Sequence, residues 1–254
     1  MHIDRRRFLK DTVLASGALL TTGPSIGLNR SKLRKIPLGD HPLKVVFFHT
    51  NDLCGHPIQE GALGRAGLWL DSGNFLGTDQ HERTIDAMNT AGYHAASLGP
   101  RELALGDGRL EDLCRRMDFP LVSGHKEAWN RYVRPSTTVR YGKYTIGITG
   151  AGDSTRAVAA ELRRKGCDFV VCLSMLGFRP GSLQLAAASS DIDLILVGND
   201  PMPLPSPYIA RNMEGREVVL SGCAPRGRRM HELSFLLDEA GRKIQFDTRS
   251  YCEG

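Results

Sequence analysis

The sequence predicts a layered α/β fold, and three observations carry the prediction. Short apolar runs rich in β-branched and aromatic residues recur from Lys44 to Val197. Stretches with helical periodicity stand between them, and beyond Glu217 strand-like segments follow one another across turns. Strand–helix alternation followed by antiparallel strands implies sheets with helices on their outer faces. Lys44–Thr50 (KVVFFHT) reads as a buried strand and Gly67–Asp71 (GLWLD) as a second. Glu82–Ala91 reads as a helix with Ile85 and Met88 on one face, ended by Gly92. His94–Leu98 is a short strand, Leu110–Met117 a helix and Pro120–Ser123 a strand. Lys143–Thr149 is a strand, Thr155–Lys165 a helix closed by Gly166, and Asp168–Leu173 a buried strand. Leu183–Ser189 is a short helix and Ile192–Val197 a strand. Glu217–Leu220, Glu232–Leu237 and Lys243–Asp247 are read as closing antiparallel strands.

Composition narrows the class. The 254 residues are enough for one large domain with a sizeable core. No run approaches the roughly 18–20 apolar residues of a membrane-spanning helix. The six cysteines form no C-x-x-C pair, which argues against a zinc ribbon or a thioredoxin-type site. The net charge of +5 is unevenly placed: residues 1–36 carry eight Lys/Arg and two acids. The rest holds 25 basic and 26 acidic side chains, so the body has no global attraction for nucleic acid.

Residues 4–10 (DRRRFLK) precede a weakly apolar stretch, Thr12 to Leu28, broken by Gly17, Gly23 and Pro24. Paired arginines before x-Phe-Leu-Lys resemble a twin-arginine export signal, here placed at residues 1–28. Residues 29–43 read as a linker and 44–254 as a single domain. The resemblance implies delivery of a folded protein to the periplasm or the outer face of the membrane, peripheral to it at most. Disulfides are permitted there, but six scattered cysteines make no framework.

In α/β sheets, sites lie outside the carboxyl ends of the strands. Five such loops are expected to converge: residues 51–56, 72–77, 99–106, 174–177 and 198–201. They read HTNDLCGH (His49–His56), DSGNFLG (Asp71–Gly77), GPRELALG (Gly99–Gly106), LSMLG (Leu173–Gly177) and GNDP (Gly198–Pro201). In that order they resemble the HTNDxHGH, DxGDxxxG, GNHEFDxG, LSHxG and GHTH motifs of the calcineurin-like metallophosphoesterase superfamily. The similarity is to the N-terminal domain of exported 5′-nucleotidases, and related thiosulfohydrolases share it. It covers about residues 44–247 and implies an α/β/β/α sandwich with flanking helices. The nucleotidases' C-terminal domain has no counterpart in these residues.

The resemblance implies a two-metal centre that activates water and clamps a phosphoryl group. Carried over, its ligand positions are Asp52, Cys54, Asn74, Pro100, Met175, Asn199 and Pro201, and its catalytic His position is Arg101. Asp52 alone keeps a family ligand. Asn74 lacks the charge of a bridging carboxylate, Pro100 has no side-chain donor, and Arg101 is always cationic. The expectation is a vestigial site with no metal, no cofactor and no catalytic residue. Neighbouring residues, among them Gly55, Gly73, Gly99, Glu102, Gly177 and Gly198, keep the family form.

Other readings remain open at this level. Asp52, Cys54 and His56, with His49 in reach, could form a new soft-metal site, against a purely structural role for the histidines. Arg101 with Arg226 and Arg228, and Arg229 beside them, could attract an anion, against a solvated turn. Only Gly55–Ala66 joins the first two strands, too short for the usual helix, so part of one sheet face is expected to be bare and to invite a protein partner. Pro201–Pro207 (PMPLPSP) reads as an extended loop beside the site. The expected function is that of a catalytically inactive, exported binding or accessory subunit. The alternative is a phosphate-ester or nucleotide hydrolase with an altered metal site.

Overall fold

Alternate residues of the apolar strands face two different packing layers, and this sets the architecture. The computed structural model describes residues 44–58, 63–200 and 204–252. The export signal, the linker and Pro201 lie outside the described residues. The first sheet contains β1 (Lys44–Thr50), β2 (Leu68–Asp71), β3 (Tyr93–Ser97), β4 (Leu121–Val122) and β5 (Val133–Arg134). The second contains β6 (Ser136–Tyr141), β7 (Tyr144–Gly150), β8 (Phe169–Ser174), β9 (Leu194–Val197), β10 (Tyr208–Arg211) and β11 (Glu217–Gly222). β12 (Arg229–Leu237) and β13 (Lys243–Cys252) return to the first. The orders are β13-β12-β1-β2-β3-β4-β5 and β10-β11-β9-β8-β7-β6.

Val45 and Phe47 of β1 point between the sheets with Leu68, Ile146, Ile148, Phe169, Val171 and Phe235. Val46 and Phe48 point outward, onto a layer with α1 (His81–Ala91) and α3 (Asp107–Cys114). α2 (Pro100–Leu103) is a single turn at the loop edge. On the far side, Val170 and Cys172 pack under α4 (Thr155–Arg164) and α5 (Leu183–Ala188). Strands buried on both faces read as continuous apolar runs, as KVVFFHT and FVVCLS do. The α/β sandwich is therefore the one expected, with element ends displaced by a few residues. Phe235 meets the rings of Phe47, Phe169 and Phe246 at centroid distances of 5.8, 5.0 and 5.8 Å.

Three details depart from the sequence reading. β11 does not belong with the closing antiparallel strands: it runs parallel to β9 in the second sheet. Only β12 and β13 close the first sheet, β12 antiparallel to β1. β6 and β10, unrecognised in the sequence, are edge strands: β6 is largely polar, and β10 exposes Tyr208, Ile209 and Arg211. The sheet face beside the short β1–β2 connection is not bare. The described residues of that connection form no helix, yet Phe48 and Trp69 are 1% and 2% exposed. Phe48 stacks on Trp69 at 4.9 Å and meets the tilted ring of Tyr251 at 6.4 Å, and the Arg65 guanidinium caps Tyr251. Chain close to Gly67 presses on the Phe48 ring, where a Cβ would stand 2.7 Å away.

The inter-sheet aromatic cluster yields a stability prediction. Phe235→Ala removes a ring with no exposure and should cost about 3–5 kcal/mol in denaturant unfolding. A loss below about 1 kcal/mol would contradict this packing.

Candidate functional site

The carboxyl ends of the parallel strands in both sheets meet at one edge, and the five loops converge there. The first two loops are laced by backbone hydrogen bonds: Asp52 N to Gly73 O, Cys54 N to Asn74 O and Gly55 N to Phe75 O, at 2.9–3.0 Å. The second sheet joins through Ser72 Oγ, which donates to Leu196 O at 2.9 Å. Gly177 N donates to Gly198 O, and Asn199 Nδ2 donates to Met175 O. Asp52, Asn74 and Asn199 therefore share one side of the sheets.

Asp52 is the hub. Its Oδ1 accepts from Asn74 Nδ2 at 2.8 Å. Its Oδ2 accepts from Asn51 Nδ2 at 2.9 Å and from Asn199 N at 2.7 Å. Its main-chain carbonyl accepts from Arg226 N at 2.7 Å. Both carboxylate oxygens are thus engaged by N–H donors from three other loop residues. The other oxygen-bearing end of Asn74, Oδ1, accepts from Arg101 N at 3.1 Å.

Non-glycine residues with positive φ gather at the same edge. Asp52, Cys54, Asn74, Asn199 and Arg226 lie at φ 51–62°, leaving only Gln80 elsewhere among the described residues. Asn and Asp tolerate this region, because their short polar side chains bond locally; Cys and Arg do so less readily. Concentrated strain of this kind marks functional loops and is held by the surrounding bonds.

Glu102 supplies much of that hold. It is fully buried in α2 and accepts from Asn74 N and Gly99 N on Oε2 and from Leu76 N on Oε1, at 2.8–2.9 Å. Burial pushes its carboxyl up to about 7, against the opposing pull of those backbone donors. Gly99 must lack a side chain, since a Cβ would stand 2.4 Å from Asn74 Oδ1. Thr50 Oγ1 donates to Asp71 Oδ2 at 2.6 Å, so its lone pairs face the Tyr93 hydroxyl at 2.7 Å. Burial pushes both Asp71 and Tyr93 well above their ordinary values.

The remaining predicted residues fall as follows. Met175 is half-buried and wedged between Gly73 and Gly198: a Cβ on either would lie 2.8–2.9 Å from its side chain. Pro100 and Arg101 are exposed in α2. Cys54 is half-buried, and burial raises its thiol while the Arg101 and Arg226 guanidiniums pull it down. Those two arginines therefore border the same rim. Arg228 is exposed and donates from Nε to Pro225 O within its own turn. A cleft of about 520 Å³ opens beside the rim, between residues 53–58 and the start of α1, lined by Cys54, His56, Gln80, Arg83 and Met88 among others.

The alternative soft-metal site on Asp52, Cys54 and His56 is not assembled. His56 is exposed, and His49 is buried inside the seam between the sheets. There it meets two residues the sequence reading passed over, Cys223 and His231, through Ser221. No short spacing could have revealed them: residue 49 is 172 positions from Ser221. Only the β1–β12 register, which sets His49 opposite His231, joins them.

No family model and no curated protein matches the sequence. Solved structures do share the fold. A 5′-nucleotidase precursor from Thermus thermophilus superposes with TM-score 0.70 at 21% identity, over 82% of this chain and 54% of that one. The calcineurin-like phosphoesterase YfkN from Bacillus subtilis gives 0.67 at 17% identity, over 83% and 91%. Thermus thermophilus sulfate thiohydrolase SoxB gives 0.68 at 15%, over 85% and 57%. The chain thus has a metallophosphoesterase-like fold, and spans about half the length of the nucleotidase structure.

The residues at the loop edge do not fit a pair of divalent metals. The single carboxylate among the family ligand positions, Asp52, already has both oxygens in hydrogen bonds. Asn74 Nδ2 sits 2.8 Å from Asp52 Oδ1, where a bridging cation would have to lie between two oxygens. The Met175 thioether fills the space between the two glycines.

Glu102 gives a pH-dependent prediction. Its folded pKa of about 7 exceeds the ordinary 4.5, so between those values the native chain holds a proton the unfolded chain has released. Its contribution is fully present below about 4.5 and is lost as pH rises to about 7, at most about 3 kcal/mol. Glu102→Gln stays neutral throughout, so denaturant unfolding at pH 4.5 and 7.5 should show a smaller loss than in the wild type. Glu102→Ala leaves three buried N–H groups without acceptors and should cost about 3 kcal/mol or more at either pH. Equal pH slopes in wild type and Glu102→Gln would refute the assignment.

Proposed function

We propose that the protein is exported and serves as a binding or accessory subunit of metallophosphoesterase fold that does not hydrolyse phosphate esters. The observation that carries this reading is the closed hydrogen-bond hub on Asp52. An amide, a second amide and a backbone N–H occupy the carboxylate that a metal would need. Arg101, at the family's catalytic His position, cannot exchange a proton near neutral pH. Export is supported by the twin-arginine pattern at residues 4–10, and one structure of like fold is itself a nucleotidase precursor.

A partner role is supported at the surface rather than in the loop edge. Leu103 and Leu176 are exposed beside the site, and Tyr208 and Ile209 are exposed on β10, an edge strand of the second sheet. Edge strands with apolar side chains offer both backbone donors and greasy surface to another chain. The cleft at residues 53–58 lies next to the short β1–β2 connection. With the face beside residues 55–66 covered, the proposed contact centres on Tyr208 and Ile209 of β10, and an ordinary interface of about 1,600 Å² would suffice for a stable complex.

Two measurements test the reading. Purified protein supplied with Mn, Zn or Fe is expected to leave bis(p-nitrophenyl) phosphate and AMP unhydrolysed; turnover that scales with enzyme and is abolished in Asp52→Ala would establish a hydrolase instead. In native extracts the protein should migrate with a second polypeptide, and Tyr208→Glu/Ile209→Glu should release it. Migration as a monomer would remove the subunit role.

A further inference from the structure

The seam between the sheets holds a donor cluster that the loop-edge reading does not use. His49 on β1 and His231 on β12 face each other across an antiparallel pair, their rings edge-on at 5.7 Å. Ser221 and Cys223 approach from the second sheet. His49 Nε2 lies 3.0 Å from Ser221 Oγ, and Ser221 Oγ lies 3.0 Å from His231 Nδ1. Cys223 Sγ is 3.3 Å from His49 Nε2. One donor atom each from His49, Cys223 and His231 falls within 4.8 Å of the others. All four residues are at most 2% exposed.

We propose that His49, Cys223 and His231 form a site for one thiophilic transition-metal ion of the Zn(II) class, with Ser221 Oγ as the nearest fourth donor. Two imidazoles and a thiolate suit such an ion in a tetrahedral site. At bond lengths of about 2.0–2.1 Å to nitrogen and 2.3 Å to sulfur, a tetrahedral metal separates N and S by about 3.6 Å. The observed 3.3 Å is near that value, and Sγ also lies 3.5 Å from His49 Nδ1 and 3.1 Å from His49 O, so ligation requires the thiol to leave that carbonyl and move toward the Nε2 edge of the ring.

One further feature favours a metal over a plain hydrogen-bond chain. His231 Nε2 is buried and has no hydrogen-bond partner among the described residues, which a closed chain of neutral groups would leave as an uncompensated loss. Ligation releases the thiol proton.

Asn51 positions the cluster. Its Oδ1 accepts from Cys223 N at 2.8 Å and its Nδ2 donates to Cys223 O at 3.3 Å. The same Nδ2 donates to Asp52 Oδ2. The proposal does not depend on whether the loop edge is catalytic.

The test uses the full-length protein. Purified without chelators it should carry about one equivalent of zinc. After zinc removal, Co(II) should bind with the same stoichiometry and give a thiolate-to-cobalt charge-transfer band in the near ultraviolet. Cys223→Ser should lose the band and retain below about a tenth of an equivalent of zinc, whereas Cys54→Ser should keep both. Should Cys223→Ser fail to fold, alkylation mapped by mass spectrometry in the wild type replaces it: zinc should protect Cys223 during partial unfolding and leave Cys54 reactive. Absence of the cobalt band in the wild type, its survival in Cys223→Ser, its loss in Cys54→Ser, or equal Cys223 alkylation with and without zinc would overturn the site.

Discussion

The Asp52 carboxylate is the constraint on which the loop edge depends. It draws N–H groups from the first, second and fifth loops into one place, and its own carbonyl takes a fourth from Arg226. Each of these loops carries a residue forced to positive φ, a conformation costing about 1–2 kcal/mol for ordinary side chains. Without a shared acceptor the loops would relax apart. Charge-assisted bonds to a carboxylate are stronger than neutral ones, so a single buried anion can hold several such turns. The Glu102 carboxyl, pushed up to about 7 by burial, accepts one layer away and fixes the backbone of residues 74–76 and 99.

This arrangement explains how the loops hold their geometry with no cation between them. In a metal centre the cations would pull the oxygens of separate loops together. Here the amide of Asn74 bridges Asp52 to the backbone of Arg101, with a donor at one end and an acceptor at the other. A neutral amide needs no counter-charge, and its two ends satisfy two loops at once. Met175 contributes volume between the loops, in van der Waals reach of Gly73 and Gly198. The loops keep their geometry through hydrogen bonds and packing.

The sequence displays those parts of the fold whose side chains are all apolar or whose turns need glycine. KVVFFHT, FVVCLS and LILV declare strands buried on two faces, and Gly92 at φ 82° closes α1. β6, STTVRY, hides because an edge strand keeps polar residues toward solvent; its pairing is fixed by the two-residue turn to β7 with Gly142 at φ 59°. β11 misleads because its local pattern does not say which sheet it joins: that is decided by its parallel register with β9. The loop motifs are legible because each follows its strand directly. The role of Glu102 and the wedge of Met175 are not, since both act across loops that only the folded sheets bring together. The covered face over Phe48 shows the same limit: loss of a helix suggests exposure, but Tyr251 of the last strand and Arg65 take its place.

The seam cluster and the loop edge are linked by one side chain, and that linkage bears on what a metal would do here. Asn51 spends its carbonyl on Cys223 N and its amino group on both Cys223 O and Asp52 Oδ2. Any ion that draws the Cys223 sulfur toward His49 and His231 therefore tugs on the backbone that Asn51 grips, and through it on the hub. The ion would lie beneath the loops, enclosed by residues with almost no exposure, out of reach of a substrate at the rim. A closed site of that kind adds folding free energy rather than chemistry. Metal held at the seam would thus serve the same end as the hydrogen bonds above it, fixing the two sheets at the edge where the loops converge.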